Sequence, residues 1–329
     1  MSKLSEDLIV NFLILVVCFL ILGKSSETAI SYAVKLADIT GFGKTTIGFM
    51  VVAFATSLPE LLIAIFAVLG GGAVGISVGN VLGANITNIC LVLGLCILIS
   101  NWKKLEDPCL APIVAKEESG SLRFGLFMAS LIPLILLYIR EATRYVGVVL
   151  LTIFVLNTYQ LSKERRMMIK EEGAVNERNK LLRYLFFTLL GISGVVASAY
   201  FLVGAATFIA LGLGVPPIII GATIVSLGTT LPEMVTSIQA TRYGHLNLAL
   251  GNIIGSAFVN LTCILGFTLT FSDFTVDVMS FSDVAIFSLI ANLLLWYFIS
   301  GDRLCRREGF VLLAMYAIFL LLSFGSITL

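Results

Sequence analysis

Two glutamates, Glu60 and Glu233, lie in the middle of long apolar stretches of this 329-residue chain. In both places a hydroxyl-bearing residue, a leucine and a proline come directly before the glutamate. The other acidic residues lie in loops or at segment ends, except Glu27, which we expect to pair with Lys24 one helical turn away. An isolated carboxylate at membrane depth costs several kcal/mol, so such a residue is expected to serve a function. We therefore predict that Glu60 and Glu233 form a buried cation site.

The prolines explain how such a site is built. Pro59 and Pro232 have no backbone donor, and each disfavours helix at the leucine before it. We expect the carbonyl groups one turn upstream, in 53–56 and 226–229, to lose their helical partners. Two carboxylates, freed carbonyls and hydroxyls would make an all-oxygen cavity of charge about −2, which suits Ca²⁺ better than Mg²⁺.

The two glutamates belong to an internal repeat. Residues 47–60 align with 220–233 at an offset of 173, and 79–88 align with 251–260 at an offset of 172. We expect the repeated glycines at 79, 83, 251 and 255 to let helices pack closely. For the repeated Asn80 and Asn252 we expect caps or bonds between helices rather than contact with the ion. The close packing would add these side chains to the site: Asn88, Ser256 and Asn260.

The composition requires an apolar environment. Hydrophobic residues make up 58% and charged residues 12% of the chain, about half the charge of a typical soluble protein. The net charge is +1 without a basic stripe, so nucleic acid is not expected as a partner. We interpret the six cysteines, which show no metal-ligand spacing, as small buried hydrophobic residues. The sequence predicts a multi-pass protein of the cell membrane in contact with the lipid bilayer, and it names no protein partner.

Ten apolar segments are long enough to span a bilayer, and strand-type alternation is absent. The expected fold is an all-α polytopic membrane protein of two five-helix repeats, 1–162 and 181–329, joined by a charged linker, 163–180. An odd number of helices in each repeat inverts the second copy relative to the first. With the N-terminus outside, seventeen basic residues fall in cytoplasmic loops and three outside, as the positive-inside rule requires. The segments are 7–37, 45–70, 73–99, 122–139, 145–162, 181–210, 215–241, 246–271, 282–300 and 309–328.

These motifs resemble the α-repeats of the sodium/calcium exchanger family, of the prokaryotic type within the wider cation/Ca²⁺ exchanger superfamily. The resemblance rests on Thr56-Ser57-Leu58-Pro59-Glu60 and Gly228-Thr229-Thr230-Leu231-Pro232-Glu233, each followed by a Gly-Asn-x-x-Gly element. It implies a secondary active antiporter, not an enzyme, that exchanges Ca²⁺ for Na⁺ by alternating access, with both ions as substrates and no cofactor.

The resemblance also implies roles for individual residues, transferred by position. Glu60 and Glu233 match the Ca²⁺ carboxylates, with the carbonyl groups of Thr56 and Thr229 completing that site. Asn88 and Asn260 match a polar pair at the centre. The Na⁺ ligands are matched by Ser57, Thr230 and Ser256 and by the carbonyl groups of Ala53 and Ser226.

Three positions depart from the family pattern. Ala84 stands where the pattern has serine, Asn260 where many members carry aspartate, and Ala55 where glycine is usual. The first removes a hydroxyl from one monovalent-ion site and the second removes a possible third charge. Exchange coupled to H⁺ or K⁺ therefore remains an alternative to Na⁺ coupling. An open channel is a less favoured alternative, and a membrane hydrolase using the two acids is the least favoured.

Overall fold

The computed structural model describes most of the chain, including both Leu-Pro-Glu motifs. The described residues are 2–40, 56–70, 74–102, 109–110, 141–142, 144–166, 178–242, 246–272, 274–275, 278–300 and 304–325, with isolated positions between 130 and 138.

The described chain is almost entirely helical. α6 ends where Gly214 adopts φ 65°, the left-handed conformation that commonly terminates a helix. Pro217 then occupies the first position of α7, where its missing donor is harmless. The helices are α1 Ser2–Thr40, α2 Leu58–Leu69, α3 Val74–Ile86, α4 Gly94–Trp102, α5 Arg144–Arg166, α6 Arg178–Leu213, α7 Pro217–Ile220, α8 Ser226–Thr229, α9 Leu231–Arg242, α10 Leu246–Phe258, α11 Leu265–Phe271, α12 Val278–Ser300 and α13 Arg306–Gly325.

Three short π-helical stretches join some of these helices into longer rods. Thr87–Leu93 connects α3 to α4, Gly221–Val225 connects α7 to α8, and Val259–Ile264 connects α10 to α11. Such π segments are rare and occur frequently at functional sites.

Among the described residues, six helical spans are long and apolar enough to cross a membrane, or seven if the bent pair 217–229 and 231–242 counts as one. Two shorter apolar helices, Leu58–Leu69 and Arg144–Tyr159, coincide with further predicted segments. The predicted segment 122–139 lies mostly outside the described residues. The predicted linker 163–180 is shortened at both ends, because α5 continues to Arg166 and α6 begins at Arg178.

The spans differ in how far they are buried inside the protein. The share of buried residues is 78% for the span Val74–Ser100 and 83% for Ala249–Phe271, but only 17% for Asp7–Ser25. The first two therefore form the centre of the bundle, and α1 lies at its edge with apolar side chains exposed towards lipid.

α1 packs along α6, and the two helices run in opposite directions. Near one end Gly212 of α6 lies against Leu8 of α1, and further along Gly194 lies against Ser25. Towards the other end the rings of Tyr32 and Phe187 stack with centroids 4.7 Å apart. The two long peripheral helices thus form one antiparallel pair.

Four two-residue strands link distant loops. β1 (Cys109–Leu110) pairs antiparallel with β4 (Leu304–Cys305), and β2 (Glu141–Ala142) pairs antiparallel with β3 (Phe274–Thr275). Each pair joins a loop of the first half of the chain to a loop of the second half.

The prediction that every cysteine is a small buried hydrophobic residue is wrong for Cys305. Cys305 is disulfide-bonded, and Cys109 lies opposite it in the β1–β4 pair. The other four cysteines are free, with Cys18, Cys90 and Cys96 buried and Cys263 partly buried. Because the sequence has six cysteines and four of them are free, we expect Cys109 to be the partner of Cys305. The strand pairing brings these two positions together although they lie far apart in sequence.

A disulfide between Cys109 and Cys305 closes a loop that includes about a third of the first half of the chain and most of the second half, so its reduction should lower stability. For a loop of this size the chain-entropy argument gives up to about 4–5 kcal/mol. We expect a reductant to lower the thermal unfolding midpoint of the detergent-solubilised protein by several degrees. Cys109→Ser/Cys305→Ser should have the lower midpoint without reductant and show no further shift with it, whereas Cys263→Ser should respond like the wild type. Equal midpoints in reduced and oxidised wild-type protein would contradict the assignment.

Candidate cation-binding site

Both copies of the motif break the helix at the residue before leucine. Ser57 has φ −82° and ψ 8°, and Thr230 has φ −80° and ψ 0°. These nearly identical values lie in the sparsely populated bridge region, where many active-site residues are found. In the second copy the helices on either side of the break are bent by 46°. The break therefore occurs one residue before the leucines at which the prolines were predicted to disfavour helix.

The expectation of a freed carbonyl at Ser226 is wrong in this structure. Its oxygen accepts the Thr230 backbone N–H at 3.0 Å and the Thr230 hydroxyl at 2.9 Å. The Thr229 hydroxyl donates to the same oxygen at 3.2 Å. The helix remains closed up to the turn because the hydroxyl side chains bond back to it. The corresponding carbonyl of the first copy, at Ala53, lies outside the described residues.

The breaks place both glutamates in the first turn of a helix. Glu60 lies in the first turn of α2, which begins at Leu58, and Glu233 lies in the first turn of α9, which begins at Leu231. Each carboxylate therefore lies at the positive end of a helix dipole. Both side chains are 0% exposed and are close enough to interact electrostatically. The Thr229 side chain lies beside Glu60, and the Thr56 side chain lies beside Glu233. The two predicted halves of the site are thus brought together across the bundle.

Ser256 organises the half of the site that contains Glu233. Its hydroxyl lies 2.9 Å from the Ser57 hydroxyl and 3.3 Å from Glu233 Oε1. The Asn88 side-chain amide donates to the same hydroxyl at 3.2 Å. One small side chain of the second copy therefore connects three predicted site residues, two of them from the first copy.

The half of the site that contains Glu60 has no such hydroxyl, because Ala84 occupies the position equivalent to Ser256. Neither carboxylate oxygen of Glu60 has a hydrogen-bond partner among the described residues. The same holds for both polar atoms of the Asn260 side chain, which is equivalent to Asn88. Unpartnered buried polar atoms are rare and require an explanation. They leave these buried side-chain oxygens available to a ligand: Glu60 Oε1 and Oε2, Glu233 Oε2, Asn88 Oδ1 and Asn260 Oδ1.

Asn80 and Asn252 hold the two copies together rather than lining the site. The Thr229 hydroxyl donates to Asn80 Oδ1 at 3.0 Å, and the Thr56 hydroxyl contacts Asn252 Oδ1 at 3.5 Å. The side-chain amide of Asn252 also donates to the Ser237 hydroxyl at 3.2 Å. The sequence analysis did not identify Ser237. The repeated Gly-Asn motif identified the asparagines but could not identify their threonine partners in the opposite copy.

Close packing at the glycines brings the helices to this distance. Gly79 lies directly against the backbone of Ile218, and Gly83 lies against the backbone of Ala222. A side chain at either position would overlap a carbonyl oxygen. Beyond these glycines, Asn88 and Asn260 each lie in a π-helical stretch, which the sequence analysis did not predict.

A cavity of about 710 Å³ lies between α1 and α9. Its lining includes Phe19 and Pro232, beside the second helix break, and reaches Lys35 and Gln239 further along the two helices. Asn252, which is bonded to the Thr56 hydroxyl, also lines it. The cavity therefore approaches the carboxylate pair from one side.

Comparison with known proteins finds matches that cover almost the whole chain. A family model described as "Sodium/calcium exchanger protein" matches residues 10–162 and 183–325. The sodium/calcium exchanger MaX1 of Methanosarcina acetivorans is 32% identical, over 96% of this chain and 99% of that protein. An uncharacterised membrane protein of Methanocaldococcus jannaschii, MJ0091, is 31% identical over 83% of this chain and 84% of its own length.

Two solved structures resemble this one. An H⁺/Ca²⁺ exchanger, CAX, superposes with a TM-score of 0.76 at 18% identity, over 96% of this chain and 87% of that chain. The sodium-calcium exchanger NCX_Mj superposes with a TM-score of 0.62 at 26% identity, over 94% and 97%. At 18% identity the first likeness concerns the fold alone.

The contact at Gly83 gives a direct test of the site geometry. Gly83→Ala places a methyl group against the backbone of Ala222, so α3 and the π-helical stretch Gly221–Val225 must move apart. We expect a cost of about 1–3 kcal/mol, seen as a lower thermal unfolding midpoint. Gly204→Ala is the matched control, because nothing lies within 4 Å of the added methyl group. Equal midpoints for the two variants would contradict the close approach.

Proposed function

Because the chain belongs to the sodium/calcium exchanger family and is a multi-pass membrane protein, we propose that it exchanges Ca²⁺ for Na⁺ across the membrane. In this proposal the exchange is secondary active transport by alternating access. Both ions are substrates that bind in turn at the centre of the bundle.

The observation that carries the proposal is the group of unpartnered buried oxygens around Glu60 and Glu233. Carboxylate and amide oxygens are the ligands that Ca²⁺ prefers, in flexible sets of six to eight. Among the described residues no third acidic, histidine or cysteine side chain joins the two carboxylates. A single Ca²⁺ would therefore neutralise the pair. The carbonyl groups of Thr56 and Thr229 would complete the coordination, with Asn88 and Asn260 between the two halves.

Na⁺ would bind beside the Ca²⁺ position, where the hydroxyl groups lie. Ser57 and Ser256 are already in contact at 2.9 Å, and Thr230 occupies the equivalent position in the second copy. The carbonyl of Ser226 would become a ligand only after the Thr230 hydroxyl turns away from it, since that hydroxyl now donates to it. We place the first-copy counterpart of this carbonyl at Ala53.

Three observations support two inverted five-helix repeats, 1–162 and 181–329, with ten spans in all. The helices that open the two repeats, α1 and α6, run antiparallel. The breaks at Ser57 and Thr230 have matching backbone angles. The two strand pairs also correspond: β1 and β3 follow the third and eighth predicted segments, and β2 and β4 follow the fourth and ninth.

In the orientation expected from the basic residues, the cavity between α1 and α9 opens towards the cytoplasm, because its Lys35 end is the cytoplasmic end of α1. We propose that it is the access route of a cytoplasm-open state. Glu27 and Gln239 line this cavity. At the repeat offset of 173, Glu27 corresponds to Tyr200 and Gln239 corresponds to Phe66 in the other copy. The rings of Tyr200 and Phe66 form an edge-to-face contact with centroids 5.4 Å apart. That contact would close the opposite route, between α6 and α2.

The carboxylate assignment is tested by Glu60→Gln and Glu233→Gln. Each variant should lose Ca²⁺ uptake into Na⁺-loaded proteoliposomes and bind Ca²⁺ at least about tenfold more weakly in detergent, since ligand charge tunes Ca²⁺ affinity. Without Ca²⁺ each variant should unfold at the same or a higher temperature, because one of two buried like charges is gone. Asp7→Asn, an exposed acid near the start of α1, is the matched control. Retained Ca²⁺ exchange in either glutamine variant would contradict the site.

Coupling to H⁺ or K⁺ is the second candidate, and its motive is the absence of a hydroxyl at Ala84. Wild-type uptake of Ca²⁺ into vesicles loaded in turn with Na⁺, K⁺ or a proton gradient separates the three cases. If the protein is Na⁺-coupled, Ala84→Ser should lower the Na⁺ concentration for half-maximal exchange several-fold, because it restores a ligand beside Glu60. Ser256→Ala should raise that concentration. No uptake above the Na⁺-free control in wild-type vesicles would reject Na⁺ coupling.

A further inference from the structure

One face of α1 carries polar side chains into the cavity. Lys24, Glu27, Ser31 and Lys35 follow one another at spacings of three, four and four residues, which places them on a single helix face. All four line the cavity between α1 and α9. On the opposite wall α9 presents Thr236 and other polar residues. These residues provide polar walls for a water-accessible route.

The contacts between α1 and α6 indicate the depth of the Lys24–Glu27 pair. Gly212 lies against Leu8, and Gly194 lies against Ser25. In both pairs the two residue numbers add up to about 220, and we use this sum to find the α6 residue opposite any residue of α1. The repeat offset of 173 makes position 196 of α6 the counterpart of Gly23. Position 196 is also the α6 position that lies opposite Gly23, so the axis that relates the two copies passes near this residue. The axis relating inverted repeats lies in the plane of the membrane. At about 1.5 Å per residue, Lys24 and Glu27 lie within about 6 Å of this axis, next to Ser25, where the apolar span of α1 ends.

A charged pair at this depth must be in contact with water. Lys24 Nζ and Glu27 Oε2 are 2.9 Å apart, and their side chains are 78% and 53% exposed. Exposure to lipid near the bilayer centre would be costly, and ionisable residues there usually face a water-filled cavity or the bundle interior. Both side chains line the cavity, which offers them contact with water.

The opposite route carries no such pair. At the offset of 173, Lys24 corresponds to Ala197 and Glu27 to Tyr200. Tyr200 contacts Phe66 and also Phe201 with its ring. The two access routes therefore differ in charge although the repeat generates both.

We propose that the Lys24–Glu27 pair is a specificity-determining element that controls cation entry from the cytoplasmic side, an inference that rests on the proposed exchange function. Glu27 attracts cations into the narrow route, and Lys24 neutralises it so that no ion is held there. An arriving Ca²⁺ displaces the lysine from the carboxylate and then moves on to Glu60 and Glu233. Because the pair is neutral at rest, the route keeps no permanent binding site of its own.

Electrostatic control makes a prediction that a structural role does not. A change in local potential alters the concentration of a divalent ion by the square of its effect on a monovalent ion. Glu27→Gln leaves Lys24 unopposed, so the half-maximal concentration at the cytoplasmic face should rise about tenfold for Ca²⁺ and about threefold for Na⁺. The half-maximal concentrations at the outer face should not change. Lys24→Met should lower both the cytoplasmic half-maximal Ca²⁺ concentration and the maximal rate.

The measurement uses right-side-out and inside-out membrane vesicles from the same cells, with radioactive Ca²⁺ and Na⁺ varied at each face in turn. Lys24→Met/Glu27→Gln is the matched variant, because it removes both charges and should return the half-maximal concentrations to within about twofold of wild type. Asp7→Asn, on the same helix but away from the cavity, should behave as wild type at both faces.

Three results would overturn the inference. The half-maximal concentrations could change equally at both faces, or by the same factor for Ca²⁺ and Na⁺. The double variant could also depart further from the wild-type half-maximal concentrations than either single variant. Unchanged half-maximal concentrations in all variants would overturn it as well. In these cases wild-type exchange is intact, so the proposed function stands. Absence of Ca²⁺ exchange by the wild type would reject the proposed function and this inference together.

Discussion

The structure is organised around two buried carboxylates that have no cationic side chain beside them among the residues that the structure describes. Glu60 and Glu233 are fully buried, and a charge in such surroundings requires compensation by an ion, a dipole or a proton. Two helix N-termini, produced by the breaks at Ser57 and Thr230, supply part of that compensation. In the proposed function a bound cation supplies the rest, which would explain why side-chain oxygens at the centre of the bundle have no hydrogen-bond partner among the described residues.

The repeat builds the site from two nearly equivalent halves, and single substitutions make the halves different. The threonine of each copy bonds to the asparagine of the other, so the two copies interlock through the same contact used twice. At Ser256 and Ala84 the equivalence ends, since one half has a hydroxyl with three partners and the other has a methyl group. A repeat can therefore keep its geometry while one side chain changes which ions each half prefers.

The same principle applies to the routes that lead to the site. The cavity between α1 and α9 is lined by polar side chains and contains an ion pair, whereas the rings of Phe66 and Tyr200 meet edge to face at the corresponding positions of the other copy. In an inverted repeat the two routes face opposite sides of the membrane. Differences between the two linings would let a symmetric scaffold treat the two compartments differently, as a transporter working between unlike ionic solutions needs to do.

The sequence by itself identified the two glutamates, the helix break beside each proline, the close packing at Gly79 and Gly83 and the membrane setting, because residue type, backbone chemistry and hydropathy can be read along the chain. It misjudged the Ser226 carbonyl, which a neighbouring hydroxyl satisfies, and Cys305, whose partner lies almost 200 residues earlier. The partners of Ser256, the reciprocal threonine–asparagine bonds and the cavity were decided only by the tertiary structure. These contacts depend on how helices from different halves of the chain cross. The residue pattern along one helix does not indicate which side chains of another helix will lie against it.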